Sequence, residues 1–479
     1  MSVATRRHFI KQAAAAGFAF SGAMNWNGAI AQQLGGGASI NRGRFGPLQP
    51  DPHGLLDLPA GFSYRVISQS GQRMSDGLLL PGRPDGMAAF AGTRSGTCVL
   101  VCNHEIGGNI LGFSAFDEVG LAAPGYSADL FYDVDQDGRP HRGGTSTTVY
   151  DVQGGRIVES HLSLAGTLVN CAGGATPWGS WLSCEETTVG IEDERFQKNH
   201  GFVFEVPSAT RGLVRPEPLV EMGRFVHEAA AVDPFSGAVY MTEDHEEGPF
   251  FRFLPHTPGE LLKGGRLQVL GFIGDMPPDA RNFDVDQGGA GHRTIERGVA
   301  LPVRWIDVQD HLAHEVPIRE AVAASGAVKF ARGEGMASTI MDGACSVYFA
   351  CTEGGAIGVG QIFRYRPSRF EGRTSEPNAP GTLELVYEST HRDALDSVDN
   401  VNVAPWGELL LSEDGDDGNF LRILSNQGEI MDLARNAHVD QGEFAGACFS
   451  PDGSTMFVNI QDPGFTVAIK GPWPAGHAR

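Results

Sequence analysis

At 479 residues the chain exceeds one small core and fits two or three ordinary domains or a single large all-β fold. Its 65 glycines and 28 prolines favour many turns between short strands. A formal charge of −22 excludes nucleic acid and anionic membrane surfaces as partners, because both call for basic patches, and it suits polyvalent cations.

In chain order the first segment is a leader. "TRRHFIKQAAAAGFAFSGAMNWNGAIAQ" carries Arg6-Arg7, a weakly apolar run and the small residues Ala29-Ile30-Ala31. This pattern predicts a bacterial twin-arginine signal over residues 1–31, with the mature chain starting at Gln32 and a periplasmic or secreted product. The twin-arginine export machinery is then a partner. It moves folded proteins, which suits an enzyme loaded with metal in the cytoplasm. No later stretch holds 18 uninterrupted apolar residues, so no spanning helix is expected. Residues 32–60 are Gly/Pro-rich and read as an extended arm before the first strand, "FSYRVIS", where the domain spanning 61–479 begins.

From there the pattern is short apolar or alternating runs broken by Gly, Pro, Asp and Asn, an all-β signature. Helical patterns are few, the clearest after the leader lying around "PIREAVAAS". The runs share an ending. "CVLVCNHE" closes on Glu105, "SWLSCEE" on Glu185 and Glu186, and "AVYMTED" on Glu243 and Asp244. "SVYFACTE" closes on Glu353, "ELLLSED" on Glu413 and Asp414, and "MFVNIQD" on Asp462. Several follow a tight turn and a preceding strand, so a hairpin recurs. Six such units of about 60–80 residues predict a six-bladed β-propeller with long loop insertions, at 107–146 and 275–302, and few short helices. Equivalent strand ends of a propeller meet at one channel mouth, where acids distant in sequence converge. The alternative is that each acid caps an exposed strand end.

Seven cysteines leave at least one unpaired. Most lie in apolar runs as small buried residues. Cys171 precedes Gly173-Gly174 in what reads as a loop, where a thiol faces a site; a core or disulfide cysteine is the alternative. One thiolate among many carboxylates suits a transition metal beside calcium. His227 before Glu228 and His104 before Glu105 are ligands, donors to ligands, or packed histidines. "DVDQDG", from Asp133, opens like a calcium loop but has Gly144 at the twelfth position, so it reads as a hairpin tip, with separate weak calcium binding as the alternative.

The segments "NCAGGATPWGSWLSCEE", "GRFVHEAAAVDPFSGAVYMTED", "RGEGM", "VYFACTEGGAIGVGQIFRYRP", "SVDNVNVAPWGELLLSEDG" and "EFAGACFSPDGSTMFVNIQDPGFTVAIKGPW" occur in that order. With the leader, they resemble the PhoX family of secreted bacterial alkaline phosphatases. The resemblance implies a monomeric phosphomonoesterase with an iron (Fe3+) and calcium (Ca2+) cluster in the channel, acting on small phosphate esters. It implies Cys171 as an iron ligand and Glu185, Glu186, Glu228, Glu243, Glu334, Asp399, Asn400 and Glu413 as members of the cage, with Asp244 and Glu353 at its edge. Arg332 resembles the phosphate-binding arginine, and the implied catalytic set is Arg332, Cys171 and Glu334. Read without the family, Arg332 is a surface arginine pairing with Glu334. Two rival functions are a calcium-dependent lactonase or phosphotriesterase, which needs neither Cys171 nor Arg332, and a non-catalytic, calcium-stabilised binding propeller.

Overall fold

The computed structural model describes residues 43–107, 113–117, 125–283, 295–415 and 418–475. The leader expected at 1–31, residues 32–42 of the arm and parts of both long insertions lie outside the described residues. The described chain is all-β with almost no helix; its one α-helix, α1 (Ile318–Ala323), falls within "PIREAVAAS".

The strands form antiparallel meanders. The first comprises β4 (Pro84–Ala91), β5 (Thr97–His104), β6 (Gly143–Asp151) and β7 (Arg156–Thr167). Next come β8 (Asn170–Ala175), β9 (Ser180–Glu185) and β10 (Val203–Pro207). A nine-stranded sheet follows, in which β15 (Ala300–Asp307) bridges two meanders. One is β11 (His227–Val232), β12 (Val239–Glu243), β13 (Phe251–Pro255) and β14 (Gly265–Phe272); the other is β16 (Gly333–Met341), β17 (Ala344–Cys351), β18 (Gln361–Arg366) and β19 (Thr382–Glu388). Then β20 (Val398–Val403), β21 (Leu409–Glu413), β22 (Phe420–Leu424) and β23 (Ile430–Asn436) are extended by β2 (Leu56–Pro59) and β1 (Leu48–Gln49). Part of the arm is thus sheet, held by the buried Leu56 and Leu58. Finally β24 (Phe444–Phe449), β25 (Met456–Ile460) and β26 (Phe465–Lys470) pair with β3 (Ser63–Gln69). This pairing of an early strand with the last one closes the arrangement without a free edge there.

The leading strands β4, β8, β11, β16, β20 and β24 pack each against the next, and β24 against β4. The arrangement is propeller-like, and the composition of these strands explains it. Five of the six read "DGMAA", "CAGGA", "EAAA", "EGMA" and "FAGA", because neighbouring backbones come too close for larger side chains; β20 reads "VDNVNV". A Cβ on Gly174 would lie 1.9 Å from the carbonyl oxygen of Ala230. Gly446, at φ +61°, would place one 2.3 Å from the carbonyl oxygen of Asp85. Larger residues fill the space between meanders: Phe250 lies 4.6 Å from Phe349, which lies 5.3 Å from Phe363, all fully buried. Each such ring contributes about 1.5–3 kcal/mol of burial.

Candidate metal centre

The leading strands share a local irregularity. Their pairing slips between Pro84 and Met87, Asn170 and Gly173, His227 and Ala230, Gly333 and Met336, Val398 and Asn400, and Ala445 and Cys448. A bulge adds a residue and re-aims side chains. The residues at five of these bulges include Asp85, Cys171, Glu228, Glu334 and Asp399; the sixth strand offers Glu443, just before it begins. The backbone ahead is strained at matching points. Five of the eight described non-glycine residues with positive φ are Arg83 (44°), Val169 (46°), Arg332 (55°), Ser397 (50°) and Gln441 (48°). Each stands two residues before Asp85, Cys171, Glu334, Asp399 or Glu443. Such conformations cost about 1–3 kcal/mol apiece and gather at functional sites.

The acids at the ends of the second strands divide by the two-residue period of a strand. The first of each pair turns to protein partners. Glu185 accepts from the amides of Leu168 (3.0 Å) and Gly201 (2.9 Å) and lies 2.6 Å from His200 Nδ1. Glu243 accepts from Arg319 (2.8 Å). Glu413 accepts from Arg422 Nε (3.0 Å) and from the amides of Asp396 and Phe420 (both 3.1 Å). Burial raises Glu243 and Glu413 to about 7 despite their arginines. The next residue enters the shared site: Glu186 beside Cys171, Asp244 on Arg332, and Asp414 within the field of Asp399 and Glu443. At the three strand ends where the sequence places two adjacent acids, the structure brings the second one in.

Three groups of ligand atoms lie within 4.8 Å of one another: Cys171–Glu186–Glu228, Glu228–Glu334–Asp399 and Asp85–Glu105–Glu443. Glu228 belongs to two of them. It is fully buried, and neither of its carboxylate oxygens makes a hydrogen bond among the described residues. Burial, followed by repulsion from neighbouring carboxylates, drives Asp85, Glu186, Glu228, Glu334 and Glu443 well above the usual range and Asp399 to about 7. Burial likewise pushes the Cys171 thiol far up. This donor set fits bound polyvalent cations: like charges removed from water need counter-ions, and a coordinating thiol is deprotonated outright.

Cys171 sits on a strand, not in the loop expected from Gly173-Gly174, because those glycines serve close strand packing. All seven cysteines are buried and free. Asn400 donates to Asp399 (2.6 Å) and accepts from the amide of Gly446 (2.6 Å), linking β20 to β24. His104 and His227 are packed, neutral groups. His104 is held by the carbonyl of Gly82 and the Ser146 hydroxyl, and His227 by the carbonyl of Gly223, and burial lowers them to about 4 and 3.

Arg332 grips Asp244 through two bonds of 2.7 Å, lies 3.0 Å from Glu334 and 3.7 Å from Glu353. Burial works against its charge, and these carboxylates outweigh it. Asp85, Glu443 and Arg83 escaped the sequence reading. Arg83 pairs with Asp462 (2.7 Å) and Glu105 (3.0 Å) across the same mouth. Its signal was present: "RPDGM" at 83–87 repeats "RGEGM" at 332–336, arginine two residues before an acid in both. A cavity of 1040 Å³ runs from just beneath the acids, at Gly86, Ala172 and Gly335, to the far mouth at Pro451 and Trp473.

A propeller-like ring whose strand ends deliver buried carboxylates and one thiol to a common mouth defines a protein that holds polyvalent cations in its channel. The profile of alkaline phosphatase PhoX matches residues 43–464, and the chain belongs to that family; it is a metal-dependent phosphatase. Among solved structures, PhoX of Pseudomonas fluorescens in complex with vanadate, a transition-state analogue, superposes with a TM-score of 0.64 at 19% identity, covering 89% of this chain and 97% of that one. A gluconolactonase from Xanthomonas campestris gives a TM-score of 0.40 at 12% identity, over 89% of this chain and 98% of that one. No curated protein matches the chain. Among the described residues no helix is long and apolar enough to cross a membrane.

Proposed function

We propose that the chain is an exported, monomeric phosphomonoesterase built on a six-bladed propeller, with Fe3+ and Ca2+ held at the acid-lined mouth. Residues 1–31 are the twin-arginine signal that sends it to the periplasm or beyond, and 61–479 form the catalytic domain. The observation that carries the reading is Glu228, a buried carboxylate without a hydrogen bond, shared by two groups of potential ligands. Cys171, Glu186, Glu228, Glu334 and Asp399 hold the cluster, with Asp85, Glu105 and Glu443 forming its far side. Among these only Cys171 is soft, which favours iron at its end and calcium at the all-oxygen end. When bound, such cations neutralise phosphate oxygens and lower the pKa of water. Arg332 offers a planar, permanently charged fork to two phosphate oxygens, exchanging part of its hold on Asp244 for the substrate. Glu185, Glu243, Glu413 and Asn400 brace the strand ends.

The test is elemental analysis of the exported protein together with p-nitrophenyl phosphate turnover before and after calcium chelation. Iron with calcium, and activity that falls on chelation and returns with calcium, is the expected result. Calcium without iron, or turnover indifferent to chelation, contradicts it. Cys171→Ser is expected to lose iron and most of the rate while keeping its calcium, because a hydroxyl replaces the one soft donor. Unchanged iron content in that variant removes Cys171 from the cluster.

A further inference from the structure

A second group of metal-ligating side chains lies behind the end of β9. Asp133, His141 and His200 bring one oxygen and two ring nitrogens within 4.8 Å of one another. His141 Nε2 stands 3.5 Å from Asp133 Oδ2, and His200 Nε2 stands 3.2 Å from the same oxygen. Both spacings are long for a charge-assisted hydrogen bond, and His141 Nε2 is buried without one. They lie close to the edges of a tetrahedron around zinc, about 3.3–3.6 Å for metal–ligand distances near 2.0–2.2 Å. The other nitrogen of His200, Nδ1, lies 2.6 Å from Glu185, the carboxylate–histidine arrangement that orients a metal-bound imidazole. Asp133 is oriented by the amides of Val134 (2.9 Å), Gln197 (3.0 Å) and Lys198 (3.2 Å). Phe196 walls the site, its ring centre 5.0 Å from His141 and 5.6 Å from His200. The side chains of Asp133 and His200 are 1% and 0% exposed and that of His141 13%, so the group is withdrawn from bulk water.

We infer that Asp133, His141 and His200 bind a divalent zinc-class ion, separate from the channel cluster, that ties the segment before β6 to the ends of β9 and β10. Two imidazoles and one carboxylate are a borderline donor set, suited to zinc and poor for calcium. Glu185 links the site to the channel, since the next residue, Glu186, faces the cluster.

The experiment uses the mature protein with its channel metals in place. It is equilibrated with Zn2+ and freed of excess, and bound zinc is measured beside its X-ray absorption spectrum. The expected result is one retained zinc per chain with scattering from two imidazoles. That signature is specific, because the channel groups contain only Cys, Asp and Glu. His141→Gln is expected to weaken zinc by at least about a hundredfold, since even loss of an outer partner costs about 10–100-fold, while iron and calcium stay unchanged. No retained zinc, zinc with sulfur and no imidazole scattering, or zinc held equally well by a folded His141→Gln protein overturns the site. If that variant does not fold, the wild-type absorption spectrum alone decides.

Discussion

Glu228→Gln is expected to lower phosphomonoester turnover by roughly three orders of magnitude and, in the metal-stripped protein, to raise the melting temperature above that of the wild-type chain. The two signs share one cause. Glu228 is fully buried, neither of its oxygens has a donor, and Glu186, Glu334 and Asp399 surround it. Without cations it must either take up a proton at neutral pH or repel its neighbours, and both oppose folding. Glutamine removes that penalty. With cations present the order reverses, because the wild-type carboxylate then contributes a shared ligand and glutamine a weak one. Paired melting curves with and without metal, read beside turnover, check this. A metal-free variant that melts below metal-free wild type would mean that Glu228 stabilises the fold without ions, and its assignment as a shared ligand would fall.

Much of this site is legible in the sequence, and the part that is not has a definite reason. Strands that end in acids are visible because the apolar run stops at a carboxylate six times over, from Glu105 to Asp462. Which of two adjacent acids turns inward is invisible, because it depends on register. Glu185, Glu243 and Glu413 sit opposite Asn170, His227 and Val398, at the last paired position, and the residue after each is the one that enters the mouth. Bulges depend on contacts between neighbouring strands, so "GEFAG" does not show that Glu443 joins the cluster, and Asp85 is legible only through the likeness of "RPDGM" to "RGEGM". Asp133 illustrates the same limit. The turn that follows it is closed by a bridge between Val134 and Pro140, as a hairpin tip requires. The carboxylate itself meets His200, 67 residues away along the chain.

Arg332→Ala and Arg332→Lys are expected to separate charge from geometry. Removal of the side chain takes from the half-buried Asp244 the guanidinium that holds both its oxygens, which costs about 3 kcal/mol of stability. It also lowers kcat/KM by about 10²–10³-fold, the loss typical of a preorganised donor to developing negative charge. Lysine keeps the charge but offers one ammonium where arginine holds Asp244 through Nε and Nη2, both at 2.7 Å. Urea unfolding should therefore show most of the stability restored in Arg332→Lys. Its kcat/KM should stay depressed, and inhibition by inorganic phosphate should remain weak, because a point charge cannot grip two oxygens of one tetrahedral group. Arg83, which meets Asp462 and Glu105 across the mouth, stays in place in both variants and supplies the residual attraction for the substrate. A lysine variant that recovered stability and rate together would show that Arg332 only neutralises charge, and the phosphate contact would then have to pass to Arg83.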